Sequence, residues 1–274
     1  MTSPSILRNV PRRALAALAA LALAASGCGD AAPDTTTGRR VALEVRVVGA
    51  PKTFVTKQGW EVSLTKALIA TGPLYFFDGE TLFAGATARA RPPSVDPLAW
   101  LLGERVAHAH PGHYVAGAAR GELLPASSVD LLAADTPLGE GRGLSGLVRS
   151  ATMSFASPPS GALAGELGGH VIVLEGTAKK GGEARAFRAE VDAADLLDAS
   201  GRLQIEGCPF KEVDLQSDGR VTLSVQIAAW FAEVELELVP PGPASKLADV
   251  PRAELVRSIK GADRYRFAFE PKPK

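Results

Sequence analysis

The stretch DGRVTLSVQI, residues 218–227, decides the fold class of this 274-residue chain. Apolar residues occupy every second position, at Val221, Leu223 and Val225, and polar residues stand between them. Because successive side chains of a strand point to opposite faces, this period of two predicts a strand with one buried face and one solvent face. The Asp-Gly pair that opens the stretch is a turn signal.

The same alternation recurs along the chain. On this ground further strands are predicted at residues 41–48, 60–65, 74–77, 145–156, 170–177, 184–191 and 265–269. Short helices are predicted at 192–200 and 251–260, with further helical pieces at 95–103 and 114–124. Many alternating strands and few long helices favour a mainly-β, antiparallel, β-sandwich-like single domain over residues 41–274. Residues 86–144, rich in Ala, Pro and Gly, are interpreted as a long, partly irregular insertion between strands.

Composition narrows the class of protein. The chain has 30 basic and 30 acidic residues, so its formal charge of zero gives no electrostatic footprint for nucleic acid. A hydrophobic fraction of 46% is enough for a real core. Two cysteines are too few for a disulfide-dense scaffold.

The first 28 residues have the layout of an export signal. Arg8, Arg12 and Arg13 form a positive region, and an uninterrupted apolar run follows from Ala14 to Ala25. This run is too short to span a bilayer comfortably, which takes about 20 apolar residues. A basic flank, a short apolar run and small residues after it are typical of a secretory signal.

The end of this segment, Ala25-Ser26-Gly27 directly before Cys28, resembles the lipobox of bacterial lipoproteins, although most lipoboxes carry Leu where this chain has Ala25. The resemblance covers residues 1–28 alone. It implies that residues 1–27 are removed and that Cys28 carries acyl chains, such as palmitate, that anchor the protein in the lipid bilayer of the cell envelope. The protein would then face the periplasm or the outer surface. The alternative is an ordinary secretory signal in which Cys28 is incidental.

Removal of the signal changes the charge and the thiol count. Residues 1–27 contain three arginines and no acidic residue, so the mature chain has 27 basic and 30 acidic residues and a net charge of −3. Residues 28–40, small and polar, are interpreted as a flexible tether. If Cys28 carries lipid, Cys208 is the remaining thiol, and we expect it to be buried.

Three of the four histidines lie within six residues of the insertion, as His108, His110 and His113. In an extended segment, residues two apart point to the same side, so His108 and His110 can chelate one ion. The Pro111-Gly112 turn can fold His113 back toward them. Neutral imidazole suits transition metals, and we consider zinc and copper. Candidate fourth ligands are Asp96, Glu104, His170 and Cys208.

A plainer interpretation stays open, in which the three histidines are solvated or bonded to loop backbone. Their spacing matches no established metal signature. The pattern Gly141-Arg-Gly143-Leu-Ser-Gly146 has the spacing of a dinucleotide fingerprint, but a strand-like segment follows where a helix is required. We interpret it as a glycine loop and expect no nucleotide.

The sequence therefore predicts a membrane-anchored envelope lipoprotein that acts as a binding or accessory module and binds a transition metal through its histidines. No nucleophile–base pair or acid pair stands out, so we do not expect an enzyme. The alternative is a structural or assembly lipoprotein that binds another envelope protein and no metal.

Overall fold

A computed structural model of the chain describes residues 38–81 and 114–273. The strands in these ranges are β1 Arg40–Val48, β2 Thr53–Val55, β3 Glu61–Phe77, β4 Ala119–Leu123, β5 Ser127–Asp130, β6 Asp135–Leu144, β7 Gly146–Phe155, β8 Ile172–Lys180, β9 Glu183–Val191, β10 Gln204–Leu215, β11 Gly219–Val225, β12 Gly242–Lys246 and β13 Tyr265–Pro271. The helices are α1 Ala164–Leu167, α2 Ala193–Leu196, α3 Ile227–Trp230 and α4 Asp249–Ile259, with 3-10 turns at Leu236–Leu238 and Ala262–Arg264. The prediction of a mainly-β, sandwich-like domain with few short helices is confirmed.

The alternation in the sequence corresponds to burial. In β11, Val221, Leu223 and Val225 are buried while the residues between them are not. β1 behaves in the same way, with its four alternate apolar residues buried. The strands predicted at 170–177 and 184–191 correspond to β8 and β9, which form a hairpin joined by Gly181-Gly182. Both glycines have positive φ, as the tightest hairpin turns require.

One long strand, β3, organises the sheet. It pairs with β2, β5 and β4, and also with β8 and β7. Its middle, from Ala67 to Gly72, is buried on both faces. The outward side of this middle is covered by Leu167 of α1 in a small apolar cluster that includes Leu68 and Val173.

The hydrogen-bonded order of the sheet is β12-β9-β8-β3-β4-β6-β1-β11-β13-β10-β7, and β7 pairs again with β3. Eight strands, from β3 round to β7, therefore form a closed ring. Its opposite sides face each other across one apolar core, while β8, β9 and β12 extend from the first half of β3. The pairs β1–β11, β10–β13 and β9–β12 are parallel.

Three parts of the prediction differ from the structure. The sheet is mixed rather than antiparallel, because alternation reports which face is buried and not the direction of the neighbouring strand. Residues 119–144, assigned to the insertion, form β4, β5 and β6, so the helical piece predicted at 114–124 is wrong. The strand predicted at 74–77 is the end of β3, which runs through Gly72-Pro73 without a break.

The helix predicted at 251–260 is confirmed as α4, whereas the helix predicted at 192–200 is present only as the four-residue α2. Helix α4 buries Pro251, Leu255 and Ile259 against the core. The piece predicted at 95–103 lies outside the described residues. Within the described ranges, no helix has the length and apolar character needed to cross a membrane.

We expect Gly72→Ala to lower the free energy of unfolding by roughly 1–3 kcal/mol, the usual cost of overpacking a core. A Cβ on Gly72 would lie 2.7 Å from the carbonyl oxygen of Phe155 in β7, so β3 and β7 would have to separate. Urea unfolding measures the difference. The matched control is Gly165→Ala in α1, where a Cβ meets nothing within 4 Å. Equal stability of the two variants would contradict this account of the β3–β7 contact.

Candidate functional site at the base of the insertion

The segment that carries the three histidines is inserted between β3 and β4. The last residues of β3 pair antiparallel with β4, and residues 82–113 lie between the two strands in the sequence. Beyond the strands, the amide of Asp78 donates to the carbonyl of Ala118 at 3.1 Å, and the amide of Gly79 donates to that of Ala116 at 2.9 Å. The two ends of the insertion are thus fixed side by side. We call these contacts and those of Tyr114 and Arg120 the insertion base.

An ion pair closes the insertion base. The Arg120 guanidinium donates two hydrogen bonds to Oδ2 of Asp78, at 2.8 and 3.1 Å. The other carboxylate oxygen accepts the amide of Ala118 at 2.7 Å. Burial raises the pKa of Asp78, but these donors outweigh it and the net pKa lies below its ordinary value. The carboxylate is therefore held charged and oriented.

Tyr114, the residue directly after His113, fixes the other side of the insertion base. Its hydroxyl lies 2.8 Å from Oγ of Ser150, and that Oγ donates to the carbonyl of Gly79 at 2.6 Å. Since the serine proton is committed to the carbonyl, the tyrosine hydroxyl is the donor in the first bond. Burial raises the pKa of Tyr114. Its ring packs on Gly207, whose positive φ of 72° and missing side chain leave room for it.

The predicted site residues fall mostly outside the described ranges. Cys28, His108, His110 and His113 lie there, as do Asp96 and Glu104. Of the candidate fourth ligands, His170 and Cys208 are described. Within residues 38–81 and 114–273, no group of three or more His, Cys, Asp or Glu side chains is arranged to hold a metal ion.

Cys208 is buried in β10, as expected. Its Sγ lies 3.4 Å from the carbonyl of Ile205. Burial raises the pKa of the thiol to about 12. Since a metal binds the thiolate and not the thiol, Cys208 is a poor ligand in this environment.

His170 lies just before β8 and lies between two carboxylates. Its Nδ1 is 2.7 Å from Oδ1 of Asp192, and its Nε2 is 3.5 Å from Oε2 of Glu190. Glu190 also contacts Lys246 at 2.5 Å and Arg188 at 2.7 Å. Both ring nitrogens of His170 thus face acidic groups of the domain itself, and we call this set the His170 cluster.

Sequence reasoning did not single out Asp78, Arg120 or Tyr114 as site residues. The Asp78-Gly79 pair signals the end of a strand, but nothing local marks Arg120 as the partner of Asp78. The sequence does contain one indication of their role, because Asp78 and Tyr114 flank the histidine-rich segment on its two sides.

No family model matches the sequence, and no curated protein matches it. Among solved structures, MbnP from Methylosinus trichosporium matches with a TM-score of 0.32 and 11% sequence identity. The match covers 77% of this chain and 82% of that one.

We expect the His170 cluster to make stability depend on pH. The hydrogen bond from Lys246, aided by Arg188, lowers the pKa of Glu190 from 4.5 to about 2. A carboxylate with a lower pKa in the folded state contributes its full stability above about pH 4.5 and loses it as the pH falls through 2. The difference in unfolding free energy between wild type and Glu190→Gln should therefore shrink from roughly 1–3 kcal/mol at pH 6 to near zero at pH 2.

Urea unfolding at each pH measures this difference. The control is Glu212→Gln, whose carboxylate is 65% exposed in a surface pair with Arg149. We expect that variant to stay within about 0.5 kcal/mol of wild type throughout. If the difference in unfolding free energy between wild type and Glu190→Gln did not change with pH, the charge of the Glu190 carboxylate would not be the cause of the stabilisation.

Proposed function

We propose that this protein is a membrane-anchored envelope lipoprotein that acts as a binding or accessory module. The observation that carries the proposal is Cys28, placed directly after small residues at the end of a basic and then apolar segment. Acyl chains stabilise membrane association by about 0.8 kcal/mol per buried methylene, so several chains on one cysteine give a stable anchor.

The start of the folded domain is compatible with such an anchor. The backbone of Arg39 forms two hydrogen bonds with Ser145, its amide donating to Oγ at 2.8 Å and its carbonyl accepting from the Ser145 amide at 2.7 Å. Residues 29–38 separate this contact from Cys28, and ten residues span at most about 35 Å. A domain on this tether would stay near the membrane surface.

We further propose that His108, His110 and His113 bind a transition metal, zinc or copper. Imidazole nitrogen is a favoured ligand for both ions. Support comes from the insertion base, which fixes both ends of the segment that carries the histidines. The remaining ligands would come from residues 82–113 or from solvent, because Cys208 is held as a thiol and His170 faces two carboxylates.

The anchor is tested by metabolic labelling with a radioactive fatty acid. We expect label on the wild-type chain, recovery in the membrane fraction, and loss of both in Cys28→Ser. The matched control is Cys208→Ser, which removes the other cysteine and should keep the label. Absence of label from the wild type, or equal label in Cys28→Ser, would refute lipidation at this residue.

The metal is tested by calorimetric titration of the detergent-solubilised full chain with Zn²⁺ and with Cu²⁺. We expect saturable binding of at least one ion, weakened at least tenfold when His108 and His110 are both replaced by Ala, because two of three imidazoles are lost. The matched control is His170→Gln, which should bind as the wild type does. No saturable binding, together with a stable protein partner in crosslinking, would favour the structural or assembly function instead.

A further inference from the structure

The junction between β10 and β13 has the fewest residue pairs of the closed ring. The two strands pair in parallel at Phe210 and Phe267 alone, whereas β13 pairs with β11 along its whole length. On its other side β10 carries a bulge, because residues 210–212 occupy a stretch where β7 has the single residue Arg149. A bulge bends its strand, and we attribute to this bend the early divergence of β10 from β13.

A groove of about 810 Å³ lies along this junction, and we call it the seam groove. Phe210 and Phe267 line it from below, and both are buried. Their rings stack at 6.1 Å between centroids, so the floor of the groove is apolar. The small residues Pro209 and Ala268 leave room above this floor. A volume in this range and a mostly apolar lining are typical of small-ligand sites.

Two cationic side chains also line the seam groove, Lys211 from β10 and Arg266 from β13, and both are exposed. Lys211 follows Phe210, and Arg266 precedes the register partner Phe267, so the two lie diagonally across the junction. With about 3.3 Å per residue along a strand and about 4.8 Å between strands, their Cα atoms lie about 8 Å apart. Two long side chains at this separation can contact one anionic group between them.

The seam groove has an excess of positive charge. Among the residues that the structure describes, Lys211 and Arg266 form no ion pair. The remaining charged residue of the lining, Asp263, is paired with Arg264. With Arg264 included, the groove has three cations and one anion, which leaves two positive charges without a partner.

The nearest acidic residues outside the lining do not neutralise this charge. Glu212, next to Lys211, accepts a hydrogen bond from Arg149 at 3.1 Å. Glu270, farther along β13, lies in register with Arg220 of β11. A ligand that matches the seam groove therefore needs about two negative charges and an apolar body.

We propose that the seam groove binds an organic phosphate monoester with a small apolar body. A phosphate monoester has a charge of about −1.5 to −2 at pH 7 and three acceptor oxygens, whereas a carboxylate has one charge. The phosphoryl oxygens accept hydrogen bonds from the guanidinium of Arg266 and the ammonium of Lys211, and the apolar body lies over Pro209 and Ala268.

This assignment rests on the proposed role as a binding module and specifies its ligand. The seam groove shares no residue with Cys28 or with the three histidines. Failure of the phosphate experiment would therefore leave the lipid and metal experiments unaffected, and failure of those would leave the seam groove open to test.

The probe is phenyl phosphate, titrated into the detergent-solubilised full chain in metal-free buffer and followed by calorimetry. We expect saturable binding, at least tenfold tighter than that of inorganic phosphate, which lacks the apolar body. Binding should also be at least tenfold tighter than that of benzoate, which has the ring but a single negative charge.

Three variants test the residues of the seam groove. Arg266→Gln and Lys211→Gln should each weaken binding of phenyl phosphate at least tenfold, because each removes a charged hydrogen-bond donor. Ala268→Leu should weaken it similarly by filling the space above the floor, with no change of charge. The matched control is Lys179→Gln, an exposed lysine of β8 outside the groove, which should bind as wild type does. Urea unfolding of each variant shows that it is folded.

Hexyl phosphate distinguishes the two sources of such an ester. Tighter binding of hexyl phosphate than of phenyl phosphate would assign a lipid-derived ester, and the reverse would assign a soluble aromatic one. Both results support the site. Absence of saturable binding, equal binding of inorganic phosphate, or indifference to Arg266→Gln and Lys211→Gln would overturn the proposal. Unchanged affinity in Ala268→Leu would overturn the placement of the apolar body.

Discussion

The pairing of β3 with five other strands is the constraint on which the rest of the structure depends. One stretch of its length joins β8, and a later stretch joins β7 and closes the ring. Because its middle is apolar on both faces, the middle alone does not fix the register of the strand. The ends do, since Val62 and Leu64 on one side and Leu74 and Phe76 on the other alternate with less buried residues. The register of β3 at its two ends therefore fixes how the closed ring is joined to β8, β9 and β12.

The sequence was most informative where a strand has one buried and one exposed face. β1, β11 and β13 have this property, and their alternation predicts both the strand and its buried side chains. It was least informative for β6, whose inward positions include Gly141 and Gly143 instead of apolar side chains. The parallel pairs were also out of reach, because the direction of a partner depends on chain segments far apart in the sequence, 57 residues for Phe210 and Phe267 and 176 for Leu43 and Gly219.

At the candidate site, the local sequence pattern identifies which residue types are present but not which residues they contact. Burial of Cys208 follows from its apolar character, and its raised pKa follows from that burial. The contact of Asp78 with Arg120 depends instead on the β3–β4 register, and that of Tyr114 with Ser150 depends on β7 pairing with β3. Closing a longer loop costs little more than closing a short one, since each doubling adds about 0.6 kcal/mol. A firmly bonded base can therefore carry a long insertion, whatever its internal sequence.

The segment GEGRG, residues 139–143, shows how one short pattern can serve two purposes in a strand. Its glycines at 141 and 143 face inward and let β6 approach the core, while Glu140 and Arg142 face outward and are exposed. Gly141 and Gly143 also lie in register with residues of β1, so their backbone belongs to the sheet ladder. In a phosphate-binding loop, by contrast, glycines leave their amides free for the ligand. The same glycine spacing that suggests a loop thus instead belongs to a strand that packs closely on the core.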